Sequence, residues 1–154
     1  MQLEDNKWME IAISEAISSQ KYSEVPVGAV LVDLQFNKII SKSGNNVVRK
    51  KSPIAHAEML VISSSVKKLN KRYLENTAIY VTLEPCAMCA TAISEARISR
   101  VYFGAYDEKK GAIENGIRLF ANNSYYKPEI YSGILEDKCS HLMKKFFSEL
   151  RKNK

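Results

Sequence analysis

Side chains that bind transition metals stand at two separate places in the sequence. His56 is followed two positions later by Glu58, and Cys86 and Cys89 lie three positions apart. One imidazole and two thiolates can supply three ligands of a tetrahedral zinc site, and a set of three leaves the fourth position to water, as in catalytic zinc sites. A carboxylate two residues after the histidine can lie near that water without being a ligand. The pattern predicts a zinc site at His56, Cys86 and Cys89, with Glu58 as its acid–base group.

The spacing alone leaves two other kinds of site open. A Cys-x-x-Cys pair at the start of a helix is also the arrangement of thioredoxin-like redox proteins, although that interpretation does not explain the His-Ala-Glu segment. A structural zinc site is the second alternative, with Cys139 or His141 as the fourth ligand. Cys139 falls on an apolar stripe, which makes it more simply a small core residue. A non-catalytic zinc-binding module is therefore the rival hypothesis.

The metal ligands need particular places on their helices. Cys86 and Cys89 share a helix face because residues three apart are neighbours there. Pro85 is tolerated where a helix opens, and a helix N-terminus favours thiolate over thiol. His56 and Glu58 would point to opposite sides of a regular helix. They converge only if His56 lies at the very start of its helix, so we expect two helix N-termini to meet at one zinc ion.

The elements that must position these residues alternate between strands and helices. Apolar runs and alternating patterns predict five strands, at residues 27–33, 38–43, 77–82, 100–104 and 129–132. The first two strands should form a hairpin. About two dozen residues separate the last two strands, and a connection of that length suits a crossover, so these strands should run parallel.

Helical spacing of apolar residues predicts the helices. The opening helix carries Trp8, Ile11, Ala12, Ala16 and Ile17. Two helices begin near His56 and at Pro85, and a helical stretch is expected around residues 115–121. A closing helix over about 135–151 has a predicted buried stripe of Cys139, Leu142, Met143, Phe146 and Leu150.

Length and composition indicate an ordinary globular protein. The 154 residues fit a single domain over 1–154, and 45% of them are apolar and 26% charged. No apolar run approaches the ~20 residues that a membrane span requires, and the first residues do not resemble a secretory signal. Three cysteines, two of them in a tight pair, favour metal binding in a reducing compartment, and we therefore expect a cytoplasmic location. The net charge of +6 suggests a polyanionic partner.

Most of the chain resembles the bacterial tRNA-specific adenosine deaminases of the cytidine deaminase-like superfamily. The H-x-E…P-C-x-x-C zinc signature is shared by the whole superfamily. The narrower resemblance lies in residues 24–30, 44–45, 55–58, 82–89 and 104–112. It implies a three-layer α/β/α fold around a five-stranded mixed sheet. It also implies one Zn²⁺ per subunit, hydrolytic deamination of adenosine to inosine at the wobble position of an arginine tRNA, and a homodimer whose RNA site uses both subunits.

The same resemblance implies roles for residues around the metal. Asn45 would form a hydrogen bond with the purine, and the Ala57 backbone and Glu84 would help to fix the base. Val27 would line the wall of the pocket, and Asp107 belongs to the same substrate-binding set. Glu58 would carry protons from the water to the ring nitrogen and then to the departing ammonia.

Three basic residues and one phenylalanine predict where the RNA backbone would lie. Lys50 and Lys51 adjoin the loop that carries the pocket, and Phe147 and Arg151 stand near the end of the closing helix. The charges of that helix have an equally good explanation in its dipole, because its first turn is acidic and its last turn basic.

Three positions depart from the pattern of the family. Asn46 stands where arginine is common, the stretch 111–115 (which includes Ile113 and Asn115) lacks the Gly-Ser that often follows, and Ser124-Tyr125 replaces an Asn-His pair. These positions lie in loops that contact RNA rather than at the metal, so they concern the substrate. The alternative function is deamination of free cytosine, guanine or nucleotides.

Overall fold

Five strands form one mixed sheet in the computed structural model, which describes residues 2–153. The strands are β1 (Gly28–Asp33), β2 (Lys38–Gly44), β3 (Thr77–Leu83), β4 (Arg100–Ala105) and β5 (Glu129–Ser132), and they lie in the order β2-β1-β3-β4-β5. β1 runs antiparallel to β2 and β3, whereas β3, β4 and β5 are mutually parallel neighbours. The predicted hairpin and the predicted parallel pairing of the last two strands are confirmed.

In the described part of the chain, four helices cover the two faces of this sheet. They are α1 (Gln2–Gln20), α2 (Ala57–Leu69), α3 (Ala87–Glu95) and α4 (Glu136–Lys152). α2 and α3 share one apolar cluster with one face of the sheet, and α1 and α4 share a second cluster with the other face. The predicted three-layer α/β/α fold is confirmed. Within residues 2–153, no helix combines the length and the apolar composition that crossing a membrane requires.

The order and direction of the strands bring four chain segments to one end of the sheet, which is called its edge below. β1 begins at this edge and β2 ends there, because Gly28 pairs with Gly44. β3 and β4 also end there, because Leu83 pairs with Ala105. The loops that follow β2, β3 and β4 therefore leave the sheet side by side, at the carboxyl ends where open α/β sheets bind their ligands.

The predicted helical stretch over 115–121 is wrong except for its last residues. A short 3₁₀ helix occupies Leu119–Ala121, and the residues before it follow an irregular path. Gly116 and Arg118 have φ angles of 58° and 47°, in the left-handed region. A right-handed helix cannot continue through such residues.

The predicted buried stripe of the closing helix is confirmed only in its first half. Cys139 is buried, and Leu142 and Met143 are half-buried against the two apolar clusters, but Leu150 is 47% exposed. A helix of 17 residues is about 25 Å long. The last two strands of the sheet, β4 and β5, have only six and four residues. They therefore support the first turns of the helix and not the last.

The opening helix packs unusually close to the sheet. Trp8, Ala12 and Ala16 are buried as the pattern predicts, whereas Ile17 is exposed. A Cβ atom added to Gly28 would lie 1.9 Å from the backbone oxygen of Ala12, so only glycine permits this approach.

Candidate metal centre

Two helix N-termini meet at the predicted metal ligands. His56 is the N-cap residue of α2 and Cys86 is the N-cap residue of α3, both with extended backbone angles, and Cys89 lies in the first turn of α3. The expected position of His56 at the very start of its helix is therefore confirmed. Pro85 precedes the N-cap of α3, so the prediction that it opens the helix is wrong by two residues.

The distances between the three ligands fit a zinc ion. Nδ1 of His56 lies 3.7 Å from Sγ of Cys86 and 3.5 Å from Sγ of Cys89. Zn–N and Zn–S bonds of ordinary length at a tetrahedral angle separate the nitrogen and sulfur atoms by about 3.6 Å. The donor set also suits zinc, because thiolate and imidazole are its common ligands. The residues therefore fit this metal, with Nδ1 as the histidine donor.

Neither proposed fourth ligand lies at this cluster. Among residues 2–153, the metal-binding side chains that come within reach of one ion are His56, Cys86 and Cys89. Cys139 is buried in the apolar cluster on the opposite face of the sheet, and His141 is exposed on the same helix, α4. The structural-zinc alternative with Cys139 or His141 is therefore wrong, and three protein ligands remain.

The pKa values of the two thiols move in opposite directions. Two hydrogen bonds lower the pKa of Cys86 to about 3: the one from Cys89 has the larger effect, and the one from His56 a smaller effect. The same hydrogen bond and burial raise the pKa of Cys89. A pair of sulfur atoms with one proton and one negative charge attracts a cation, which can replace the proton. The hydrogen bond to Cys86 also raises the pKa of His56.

Glu58 is buried beside this cluster. Glu58 lies in the first turn of α2 and is 3% exposed. It is not one of the three ligands. Burial raises the pKa of its carboxyl group, and the negative charge of Cys86 acts in the same direction. A carboxyl group in such surroundings is suited to accept and release a proton.

Asn45 ties the loop after β2 to the first turn of α2. Its Oδ1 accepts a hydrogen bond of 2.8 Å from the backbone N–H of Ala57, the first residue of the helix. Its own backbone N–H donates to the oxygen of Val27 at 3.0 Å. Because Oδ1 is an acceptor here, the orientation of the amide is fixed and Nδ2 is the end that can donate to a substrate. The contacts of Asn45, Ala57 and Val27 with a base stay predictions.

Glu84 holds the segment that follows β4. Its residue is 2% exposed, and Oε2 accepts backbone N–H groups of Ile113, Glu114 and Asn115 at 2.9–3.1 Å. Oε1 accepts the backbone N–H of Asp107 and the side-chain amide of Asn115. Burial alone would raise the pKa of this carboxyl group, but the hydrogen bonds, first that of the Asn115 side chain, lower it below its usual value. Contact of Glu84 with a base stays a prediction.

The segment that Glu84 holds reaches the metal ligands. Gly111 forms an isolated antiparallel bridge with Cys86. A Cβ atom on Gly111 would lie 2.5 Å from the Glu84 carboxyl carbon, so the close approach requires glycine. Lys110, directly before Gly111, belongs to the same segment. Oδ1 of Asp107 accepts the backbone N–H groups of residues 109 and 110. The contact of Asp107 with a substrate stays a prediction.

The positions that depart from the family pattern lie in the loops around the site and in the segment before β5. The backbone N–H of Asn46 donates to the oxygen of Ala55, next to His56. The residues at 113–115 are those that donate to Glu84. Tyr125 is half-buried against the core, whereas Ser124 is exposed. The predicted RNA contacts Lys50, Lys51, Phe147 and Arg151 are all exposed, and their contacts stay predictions.

One buried acidic residue near the site was missed by the sequence analysis. Glu24 accepts backbone N–H groups of Val48 and Arg49, in the loop that carries Asn45. The available signal was its position, since it is a charged residue directly before the apolar run that leads into β1.

Comparison with known proteins agrees with this geometry. The model of the cytidine and deoxycytidylate deaminase zinc-binding region matches residues 2–105, which include the three ligands and Glu58. A tRNA-specific adenosine deaminase of Rickettsia bellii is 44% identical over 144 residues, which are 93% of this chain and 99% of that protein.

Two solved structures of different deaminases are similar to this fold. One, from a study of A-to-I editing by tRNA:A34 deaminases at the wobble position of transfer RNA, has a TM-score of 0.84 and 43% identity and covers 88% of this chain and 98% of its own. A guanine deaminase of Nitrosomonas europaea has a TM-score of 0.81 at 17% identity and covers 92% of this chain and 83% of its own. The second likeness concerns the fold alone.

We predict that Cys86→Ala and Cys89→Ala each lose the zinc ion. Wild-type protein should contain one zinc per chain by elemental analysis, and each variant much less. An ion that links α2 to α3 stabilises the fold, by about 2.7 kcal/mol when free zinc is at 100 times its dissociation constant, and this stabilisation should disappear. Cys139→Ser is the matched control and should keep its zinc. Full occupancy in both alanine variants would exclude this ligand set.

We also predict that Glu84→Gln loosens residues 107–115. Both oxygens of Glu84 accept N–H groups. The NH₂ group of a glutamine would replace one of these oxygens and would face N–H donors without accepting from them. The free energy of unfolding should fall by about 1.5–3 kcal/mol in urea titrations, and amide hydrogen exchange should accelerate in this segment. Glu108→Gln, the same change at an exposed position of the segment, serves as the control. Equal unfolding midpoints for Glu84→Gln and the wild type would contradict this role.

Proposed function

The chain belongs to the tRNA-specific adenosine deaminases of the cytidine and deoxycytidylate deaminase family, and from this premise we propose that it converts adenosine to inosine at the wobble position of a tRNA anticodon. The observation that carries the proposal is the convergence of His56, Cys86 and Cys89 beside the buried carboxyl group of Glu58. A non-catalytic zinc-binding module has no need of a buried carboxyl group at that place.

The substrate follows from identity in sequence rather than from the fold. The fold is shared almost equally with a guanine deaminase, at TM-scores of 0.81 against 0.84, so it does not select a base. Identity to a tRNA-specific adenosine deaminase is 44% and extends over 93% of this chain and 99% of that protein. Deamination of a free base or nucleotide is therefore not favoured.

The proton chemistry is the work of Glu58. His56, Cys86 and Cys89 would hold a zinc ion, which would supply a Lewis acid that lowers the pKa of a water molecule. Glu58 accepts a proton from the attacking water and gives it to the ring nitrogen N1 of adenine. It then transfers the second proton of the water to the departing amino group, so that the oxygen remains at C6 and ammonia leaves. Burial excludes bulk water, which would otherwise compete for these protons.

Asn45 and its neighbours hold the base. Nδ2 of Asn45 can donate to the purine because its Oδ1 accepts from Ala57, and the Ala57 backbone and the buried side chain of Val27 lie close by. Glu84 and Asp107 complete this side of the pocket through the segment 107–115. A base must leave its stack before it can enter, and an anticodon loop presents that base already unpaired.

The partners proposed for the enzyme are the tRNA anticodon stem-loop and a second copy of the chain. Lys50, Lys51, Phe147 and Arg151 are exposed and would contact the RNA backbone, and the net charge of +6 favours a polyanion. We expect the homodimer to work in the cytoplasm, where its tRNA is found, and to need no membrane.

We predict that Glu58→Gln abolishes deamination while the metal site persists. The wild type should form inosine in an anticodon stem-loop RNA, detected by mass spectrometry of the digested product. The variant keeps the shape of the side chain but cannot accept a proton, so kcat should fall by about 10²–10⁴-fold or more. Its zinc content should equal that of the wild type. Glu95→Gln, at an exposed position on α3, is the control, and near-normal kcat in Glu58→Gln would refute the assignment.

We further predict that replacing Lys50 and Lys51 together with alanine raises the KM for the stem-loop and leaves kcat at saturation unchanged. Phosphate binding by lysine releases counterions, so the slope of log K against log salt should flatten by about 0.7 for each phosphate that the variant no longer neutralises. Lys67→Ala with Lys71→Ala, two exposed lysines near the far end of α2, should change neither quantity. Comparable turnover of free adenosine and stem-loop by the wild type would favour the small-molecule alternative instead.

A further inference from the structure

A buried carboxylate organises the loop that carries Asn45. Glu24 is 1% exposed and lies just before β1. Its two oxygens accept the backbone N–H of Val48 at 3.0 and 3.1 Å, and Oε2 also accepts the backbone N–H of Arg49 at 3.0 Å. Residues 46–52 form consecutive turns, and these two N–H groups lie at the start of them. The carboxylate therefore fixes the beginning of the loop as a capping residue fixes the first turn of a helix.

Arg49 extends this contact to Asn45. Its Nε lies 3.4 Å from Oε2 of Glu24, and its Nη2 donates to the backbone oxygen of Asn45 at 3.1 Å. The guanidinium group also stacks over the ring of Tyr22, 4.2 Å from its centroid. The side chain is 37% exposed, so it belongs to the surface as well as to this network.

The backbone of Asn45 is held from several sides at once. Its oxygen accepts the hydroxyl group of Ser19 at 3.0 Å in addition to Arg49. A Cβ atom on Gly44 would lie 1.8 Å from that hydroxyl oxygen, so glycine permits the approach of α1. Because the N–H of Asn45 donates to Val27, the peptide groups on both sides of its Cα are fixed. The side chain then has little freedom except rotation, and the bond from Ala57 to Oδ1 sets that rotation.

We propose that Glu24 and Arg49 are positioning residues that orient the Asn45 amide toward the purine, acting through the Asn45 backbone. This inference rests on the proposed deamination. A displacement of about 1 Å in a substrate contact can cost on the order of 10²-fold in rate. Asn45 lies outside regular secondary structure, so its position depends on these charge-assisted hydrogen bonds.

Arginine is required at position 49 by geometry and not only by charge. A planar guanidinium can bond to a carboxylate and a carbonyl at once while its face stacks on an aromatic ring. A lysine offers the same charge at a single point and cannot maintain all three contacts. The rival explanation is that Arg49, like Lys50 and Lys51, contacts RNA phosphate, for which lysine is a good substitute. Arg49→Lys therefore separates the two explanations.

The experiment measures single-turnover deamination of an anticodon stem-loop by the wild type, Arg49→Lys and Glu24→Gln. We expect both variants to lower the rate constant at saturating RNA by about tenfold, as the loss of a hydrogen bond to a charged group predicts, with the RNA dissociation constant within about twofold of the wild type. Arg97→Lys is the matched control, since Arg97 also stacks on a tyrosine (Tyr73) and pairs with a glutamate (Glu75), away from the site. A wild-type rate constant in Arg49→Lys would overturn the proposal.

Two further measurements test the route through Asn45. In an Asn45→Ala background, Arg49→Lys should change the residual rate by less than about twofold, because the group that it orients is absent. A full tenfold loss in that background would contradict the proposal. Amide hydrogen exchange of residues 45–52 should accelerate in both variants in the absence of substrate, and unchanged exchange would also overturn the proposal. If the wild type does not deaminate the stem-loop, the proposed function fails, and this exchange measurement still decides whether the pair holds the loop.

Discussion

One metal ion must be reached by side chains that are 30 and 33 residues apart in the sequence, and this requirement governs the arrangement around the sheet edge. Both α2 and α3 begin where their ligands lie, so that His56 and Cys86 serve as N-cap residues with extended backbone angles. Extended angles at the N-cap let His56 and Glu58 face the same point although two helical residues would diverge. The partial positive charge of two helix N-termini at one place also favours the thiolate form of the cysteines.

The loops beside the metal are held by acidic residues rather than by secondary structure. Glu24 accepts N–H groups of the loop after β2, and Glu84 accepts those of the segment after β4. Neither segment could satisfy its buried backbone donors by sheet pairing, since both leave the sheet at its edge. A carboxylate with several acceptor positions can collect several donors at one point and impose a path on an irregular chain. The two loops thereby keep the order that a pocket needs while their outer residues remain free to vary.

The sequence was sufficient for the parts of the molecule that depend on local spacing. The shared face of Cys86 and Cys89, the position of His56 at the start of its helix, the hairpin and the parallel strands all follow from patterns within a few residues or from the length of one connection. The helical stretch at 115–121 was wrong because Gly116 and Arg118 adopt left-handed angles, in a segment tied to Glu84 from about thirty residues away. The acceptor roles of Glu24 and Glu84 were missed for the same reason, since nothing near them in the sequence shows which N–H groups they meet.

Substrate choice in this fold must reside in those loops. A guanine deaminase shares the architecture at 17% identity, so neither the sheet nor the layers distinguish its base from adenine. In the proposed reaction, the metal ligands and the buried acid would provide the chemistry of attack and proton transfer, which any aminated ring could undergo. What remains is the set of polar groups that we propose to face the base, and the directions of the Asn45 amide and the Glu84 carboxylate are fixed by hydrogen bonds behind them. Nδ2 of Asn45 is the end of the amide that can donate to a base, because Oδ1 already accepts the N–H of Ala57. We therefore expect recognition of the base to depend on contacts behind the pocket wall: the N–H of Ala57 sets the direction of the Asn45 amide, and Glu24 and Glu84 hold the neighbouring loops.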